Sequence, residues 1–171
     1  MDVKRFKALY LPLHPKLYRV ALALVENRQD AEDLLQETYG KLWSKRMELS
    51  EILNPEAYAV TLIKHLCLDF LRSTRANLRQ EEIHENIWVA DGTTPATQVE
   101  KQDEVAYVEG LIAQLPDSQR QVIRLRGIGE CSMEEIAEIT GFSLVNVRTL
   151  LSRARKVLRE QYDKYMLYER V

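Results

Sequence analysis

Along most of this chain apolar residues recur at steps of three and four, the spacing that lines one side of a helix. No stretch alternates with period two for long enough to make a strand. A short helix is expected from Val3, then a break at Pro12 and Pro15, then a second helix carrying Leu17, Ala21, Leu24 and Val25. Asn27 or Asp30 opens a third, whose inner positions are Ala31, Leu34, Leu35, Thr38 and Leu42, with Trp43 at its end. Glu32 and Asp33 fall in its first turn, where negative charge complements the helix dipole. Residues 46–53 keep no period and read as a loop. Asn54 followed by Pro55 is an N-cap and N1 pair that starts a long helix, with Ala59, Leu62, Ile63, Leu66 and Phe70 inward. Thr61, Lys64, His65, Leu68 and Arg72 lie on its opposite side. Residues 73–97 read as a linker, with turn chemistry in DGTTPAT at 91–97. Val105, Val108, Ile112 and Leu115 then mark a helix that Pro116 stops, and Val122, Ile123 and Leu125 mark another.

The most informative pattern comes next. Ser132 and Glu135 have the spacing of a capping box, and Ile136, Ala137 and Ile139 give the helix that follows a buried side. Gly141 can end it in a left-handed turn, Ser143 can cap a successor, and Val147, Leu151, Ala154 and Leu158 line one face of that successor. This is a helix-turn-helix. Opposite the apolar stripe stand Arg148, Thr149, Ser152, Arg153, Arg155, Lys156 and Arg159, and residues 143–160 hold five basic side chains against one acidic. A recognition helix needs such a division, with short or forked side chains near its N-terminus for base edges and cations further along for phosphates. Charges alone would suit any solvated helix. Cap, small residue, glycine turn and basic face together point to DNA.

Charge and composition narrow the partners. Across 171 residues, 24 Lys and Arg stand against 26 Asp and Glu, a net charge of −2. A chain that coats DNA would be strongly basic, so contact is expected in patches, with a partner supplying the rest of the affinity. Cys67 and Cys131 are far apart and form no CxxC, which fits a reducing cytoplasm, and His14, His65 and His84 have no ligand spacing, so no metal or other cofactor is expected. The N-terminus lacks a signal-peptide run and no segment reaches membrane-spanning length, so direct membrane insertion is not expected. No nucleophile–base pair, paired-carboxylate site or phosphate loop suggests an enzyme. Between residues 81 and 109 eight acidic residues face a single Lys101, an acidic connector that suits either a solvated spacer or a mimic of nucleic-acid charge.

In order and spacing, three stretches resemble RNA polymerase sigma factors of the extracytoplasmic-function (ECF) type. DAEDLLQETYGKLW at 30–43 is similar to the family's region-two helix, which grips the clamp coiled coil of the polymerase largest subunit. NPEAYAVTLIKHLCLDFLR at 54–72 resembles the helix and loop that engage the minus-10 element. The stretch 115–160 resembles the region-four domain that reads the minus-35 element. The resemblance implies an all-α protein of two small helical domains, a sigma region-2-like bundle over 1–74 and a region-4-like helix-turn-helix domain over 97–171, joined by an acidic linker at 75–96.

It also implies roles. Asp33, Gln36 and Glu37 are expected at the polymerase. Arg46, Asn54, Lys64, His65 and Arg72 are expected at the minus-10 element, with the loop 46–54 holding an extruded base. Arg148, Thr149, Ser152 and Arg153 are expected on minus-35 base edges, and Arg155, Lys156 and Arg159 on phosphates. Partners would be core RNA polymerase, promoter DNA and an anti-sigma factor. An autonomous helix-turn-helix regulator with an N-terminal sensing or dimerisation domain would explain 115–160 equally well but leaves 30–43 without a purpose.

Overall fold

The computed structural model describes the backbone of residues 1–81 and 99–169 and the side chains of residues 1–74 and 104–168. Among these residues eight α-helices and two 3₁₀ turns form an all-α fold. Helix α1 (Val3–Tyr10) starts at Asp2, whose carboxylate accepts the Arg5 N–H at 2.7 Å. Pro12 sits in the 3₁₀ turn Leu11–Leu13 and Pro15 in the first turn of α2 (His14–Val25), where a missing N–H costs nothing. Asn27 caps α3 (Arg28–Ser44) by accepting from the Asp30 N–H at 3.0 Å. Thr38, fully buried, donates its hydroxyl to Leu34 O at 2.7 Å, so its burial leaves no orphaned donor.

The segment read as a loop contains a 3₁₀ turn, Glu48–Glu51, because Leu49 is 3% exposed and pins it to the core. Asn54 caps α4 (Pro55–Glu81) through the Ala57 N–H at 3.0 Å. The α4 backbone continues to Glu81, past the point where the apolar period lapses, since no proline or glycine interrupts 73–81. The DGTTPAT turn lies outside the described residues. Helices α2, α3 and α4 pack on one another around Tyr10, Leu17, Leu42 and Ile63, all fully buried.

In the second half, α5 (Val99–Ala113), α6 (Asp117–Gly127), α7 (Met133–Thr140) and α8 (Leu144–Glu169) bury Val122, Leu125, Ile136, Val147 and Leu151. The α5 face departs from expectation. Val105 is 60% exposed, because Tyr107 stacks on Tyr165 of α8 at 4.1 Å and sets the helix's rotation. A pair of large aromatic faces outweighs one valine.

The two halves also touch. Helix α2 packs against α6, and ion pairs ring the contact. Lys16 bridges Glu56 of α4 at 2.6 Å and Glu135 of α7. Arg19 meets Glu130 at 3.4 Å, and Glu26 receives Arg120 at 3.5 Å and Arg124 at 3.2 Å. Glu26 (φ 62°) and Glu130 (φ 51°) are the two non-glycine residues with positive φ among the described ones. Both carry a pair across this contact.

Candidate nucleic-acid interface

The helix-turn-helix forms as its local chemistry requires. Ser132 Oγ accepts the Glu135 N–H at 3.1 Å while Glu135 Oε2 accepts the Ser132 N–H at 2.8 Å, a reciprocal cap. Burial alone would raise the Glu135 carboxyl, but hydrogen bonds from Lys16 and Ser132 prevail and hold it below its usual range. Gly141 turns the chain at φ 77°, and Ser143 Oγ accepts the Asn146 N–H at 3.1 Å to start α8. Val147, Leu151 and Ala154 are buried as their spacing requires, with Leu158 half-buried and Leu150 joining them.

All seven sequence-selected positions on α8 are exposed. Arg148, Ser152, Arg155, Lys156 and Arg159 line one groove of about 430 Å³ beside Met133 and Glu160. Thr149 and Arg153 lie on the helix's other flank, at about 100° per residue. Among the described residues no ion pair holds any of the five cations, whereas Arg19, Arg120 and Arg124 are committed elsewhere. Thr149 donates its hydroxyl to Val145 O at 3.0 Å, so the proton expected at a base edge already has an acceptor. Sequence reasoning passed over Val145, 72% exposed in the first turn of α8, because it belongs to neither the apolar stripe nor the basic set.

The minus-10 set is less unified. Asn54 and Lys64 line one cleft of about 330 Å³ with Glu56, Thr61, Glu135 and Glu138. There Lys64 Nζ donates to the α7 carbonyl of Glu138 at 2.7 Å. His65 is exposed. Arg72 pairs with Asp69 at 3.4 Å and lines a second cleft, of about 400 Å³, with Asp117 and Phe142 of the other half. Arg46 stacks over the Trp43 ring at 4.3 Å and donates to Trp43 O at 3.0 Å. In the same segment Met47 is 68% exposed and Leu53 fully so, two apolar side chains that the loop's missing period concealed.

Asp33, Gln36 and Glu37 are all exposed on α3. Asp33 accepts from Gln29 at 3.2 Å and Glu37 pairs with Lys41 at 3.0 Å. Gln36 shares a shallow cleft with Glu32, His14, Tyr18, Leu35 and Tyr39, and His14 and Tyr39 stack at 6.0 Å. The aromatic residues of that cleft come from two helices, so no single-helix period reveals them.

Cys67 and Cys131 are fully buried. Burial pushes their thiols up to about 12 and about 11, respectively, and they pack as small apolar groups.

Comparison with known proteins joins these surfaces. Residues 9–77 match the Sigma-70 region 2 family and residues 106–158 the Sigma-70 region 4 family. The chain is 31% identical over 152 residues to the RNA polymerase sigma factor SigV of Bacillus subtilis (strain 168), covering 86% of this chain and 84% of that protein. Over 163 residues it is 28% identical to the ECF RNA polymerase sigma factor SigX of the same organism, covering 92% and 84%. A solved structure of the sigma factor RpoE in complex with the anti-sigma factor NepR from Bartonella quintana superposes with a TM-score of 0.67 at 27% identity. That match covers 94% of this chain and 98% of the other. CnrH, solved with the cytosolic domain of CnrY, shares the fold with a TM-score of 0.60 at 22% identity. It covers 95% of this chain and 90% of the other. The region 2 match gives the N-terminal helices a purpose that the autonomous-regulator alternative did not. The chain belongs to the ECF group of RNA polymerase sigma factors, and is a transcription initiation factor whose partners are core RNA polymerase and promoter DNA.

Proposed function

We propose that α8 reads the minus-35 element, that the loop 46–54 and α4 engage the minus-10 element, and that the outer face of α3 docks on the polymerase clamp coiled coil. The observation that carries the first part is the exposed set Arg148, Arg153, Arg155, Lys156 and Arg159, without an ion pair among the described residues, on a helix whose opposite side is buried. Arg148 and Arg153 present forks suited to guanine, while Arg155, Lys156 and Arg159 offer cations to phosphates. Met47 and Leu53 supply an apolar surface against which an unstacked base can rest, with Lys64, His65 and Arg72 behind it for the backbone. Extruding a base costs a few kcal/mol, so strand opening draws on polymerase contacts as well as this domain. Asp33 and Glu37 steer docking by charge and Gln36 adds a neutral hydrogen-bonding amide, with the Tyr18 and Tyr39 cleft beside them. The residue spans 1–74 and 97–171 act as the two promoter-reading domains and 75–96 as their acidic connector.

On this reading the chain makes and breaks no bonds, works in the cytoplasm with the polymerase, and is held in check by an anti-sigma factor. The solved complex of the sigma factor RpoE with the anti-sigma factor NepR supports the last point. Two promoter elements about 25 base pairs apart are separated by about 85 Å at about 3.4 Å per base pair, so the contacting halves must part on the promoter.

The test is transcription by reconstituted holoenzyme across a minus-35 library at two salt concentrations. Arg153→Ala should cost about 1–3 kcal/mol at the preferred sequence and flatten preference at one or two positions. Lys156→Ala should weaken all sequences alike and lower the salt slope by about one counterion. If neither substitution alters promoter use, α8 is not the reader.

A further inference from the structure

Val145 stands on α8 as a largely uncovered apolar side chain. It is 72% exposed, while Val147 and Leu151 nearby are buried at 0% and 1%. At about 100° per residue it falls within about 40° of Thr149, Ser152 and Lys156, on the row that faces away from the protein. Arg148 flanks that row on one side and Arg153 on the other. An exposed, β-branched residue in the first turn contributes little to helix stability, and a single valine is too small to dock a protein partner.

The neighbouring threonine points the same way. Because Thr149 donates its hydroxyl proton to the carbonyl of Val145 at 3.0 Å, what it leaves free is its methyl and an oxygen that can only accept. Two β-branched side chains one turn apart thus offer methyl groups at the end of the helix that enters a major groove first. The major groove carries one apolar feature, the 5-methyl of thymine.

We propose that Val145, with the methyl of Thr149 beside it, is a specificity-determining residue that reads thymine 5-methyl groups in the minus-35 element. The proposal rests on α8 being the minus-35 reader, and it adds a chemistry that the arginines do not supply. Arginine forks select guanine by hydrogen bonds; Val145 selects thymine over cytosine, and over uracil, by burying a methyl.

The experiment uses reconstituted holoenzyme and the best-used sequence recovered from a randomised minus-35 library. Each thymine on either strand is replaced singly by deoxyuridine, which lacks only the methyl. At one or two positions wild-type promoter binding should fall about fourfold, the effect of one buried methyl. Val145→Ala should lower binding to the thymine promoter by a similar factor and become indifferent to deoxyuridine at those positions. Its helix content should be unchanged, since Val145 is outside the core. Wild-type indifference to deoxyuridine at every position, full sensitivity retained by Val145→Ala, or a selected sequence without thymine would each overturn the proposal. Arg148→Ala and Arg153→Ala serve as the reference. If they weaken binding while the deoxyuridine effect is missing, methyl reading alone is lost; if they change nothing, the assignment of α8 falls with it.

Discussion

Gly129 and Gly141 exclude a side chain for different reasons, and the difference is measurable. A Cβ at Gly129 would stand 2.6 Å from Leu125 O and 3.2 Å from Cys131 Sγ, one of them backbone that cannot swing aside. Gly141 has open space but a φ of 77°. Gly129→Ala should therefore destabilise by roughly 1–3 kcal/mol through overpacking, and Gly141→Ala by about 1 kcal/mol through backbone strain. Thermal unfolding of the two variants checks both costs, and an unchanged midpoint in either would contradict its stated cause. The cysteines give a second expectation at this scale. With thiols near 12 and 11 in fully buried sites, Cys67 and Cys131 should resist alkylation at pH 8 in the native protein and react once it unfolds. Fast labelling of either thiol in the folded chain would contradict its placement.

At the scale of elements, α3 separates packing from recognition most cleanly. Leu34, Leu35, Thr38 and Leu42 are buried while Asp33, Gln36 and Glu37 are exposed. Reversing charge at Asp33 and Glu37 together should weaken core polymerase binding with little change in helix content; the lost Glu37–Lys41 pair is worth only about 0.3–0.5 kcal/mol. A well-folded double variant that binds core normally would remove both residues from that surface. Helix starts were legible because capping is decided within a few residues: Asn27, Asn54, Ser132 and Ser143 each accept the backbone N–H three residues on. The α5 face was not. Val105 satisfied the period, but Tyr165, which selects Tyr107 instead, lies on another helix.

At the scale of the whole molecule, ion pairs ring a contact between the halves whose buried residues form one apolar cluster. Individual exposed pairs are worth about 0–1 kcal/mol and weaken with ionic strength. Lys16→Glu would face Glu56 and Glu135 with a third carboxylate, and should increase the radius of gyration of the free chain in small-angle scattering. Wild type should expand as salt is raised, and unchanged dimensions in both experiments would contradict a clasp built on these pairs. pH acts through the same residues. The lowered Glu135 carboxyl contributes stability above its unfolded value, near 4.3, and loses it as pH falls through the folded one. For Lys16, burial works against the charge, but hydrogen bonds to Glu135 and Glu56 prevail and raise its value, so its contribution is lost only as pH rises through that raised value. The clasp should hold at intermediate pH and loosen in acid.

By itself the sequence determined most of the helices, the caps at Asn54, Ser132 and Ser143, the glycine turn and the basic face of α8. Period, capping and turn chemistry act over a few residues, so the residues that cause these features lie next to one another in the chain. Tertiary structure decided which half meets which. Lys16 and Glu135 are 119 residues apart, and Lys64 meets the Glu138 carbonyl across 74. Ion pairs have no period, and a lysine on a wet-looking face gives no sign that a carbonyl from a distant helix will hold it. Only folding brings Lys64, expected on the minus-10 element, against α7, and leaves the five cations on the outer face of α8 exposed.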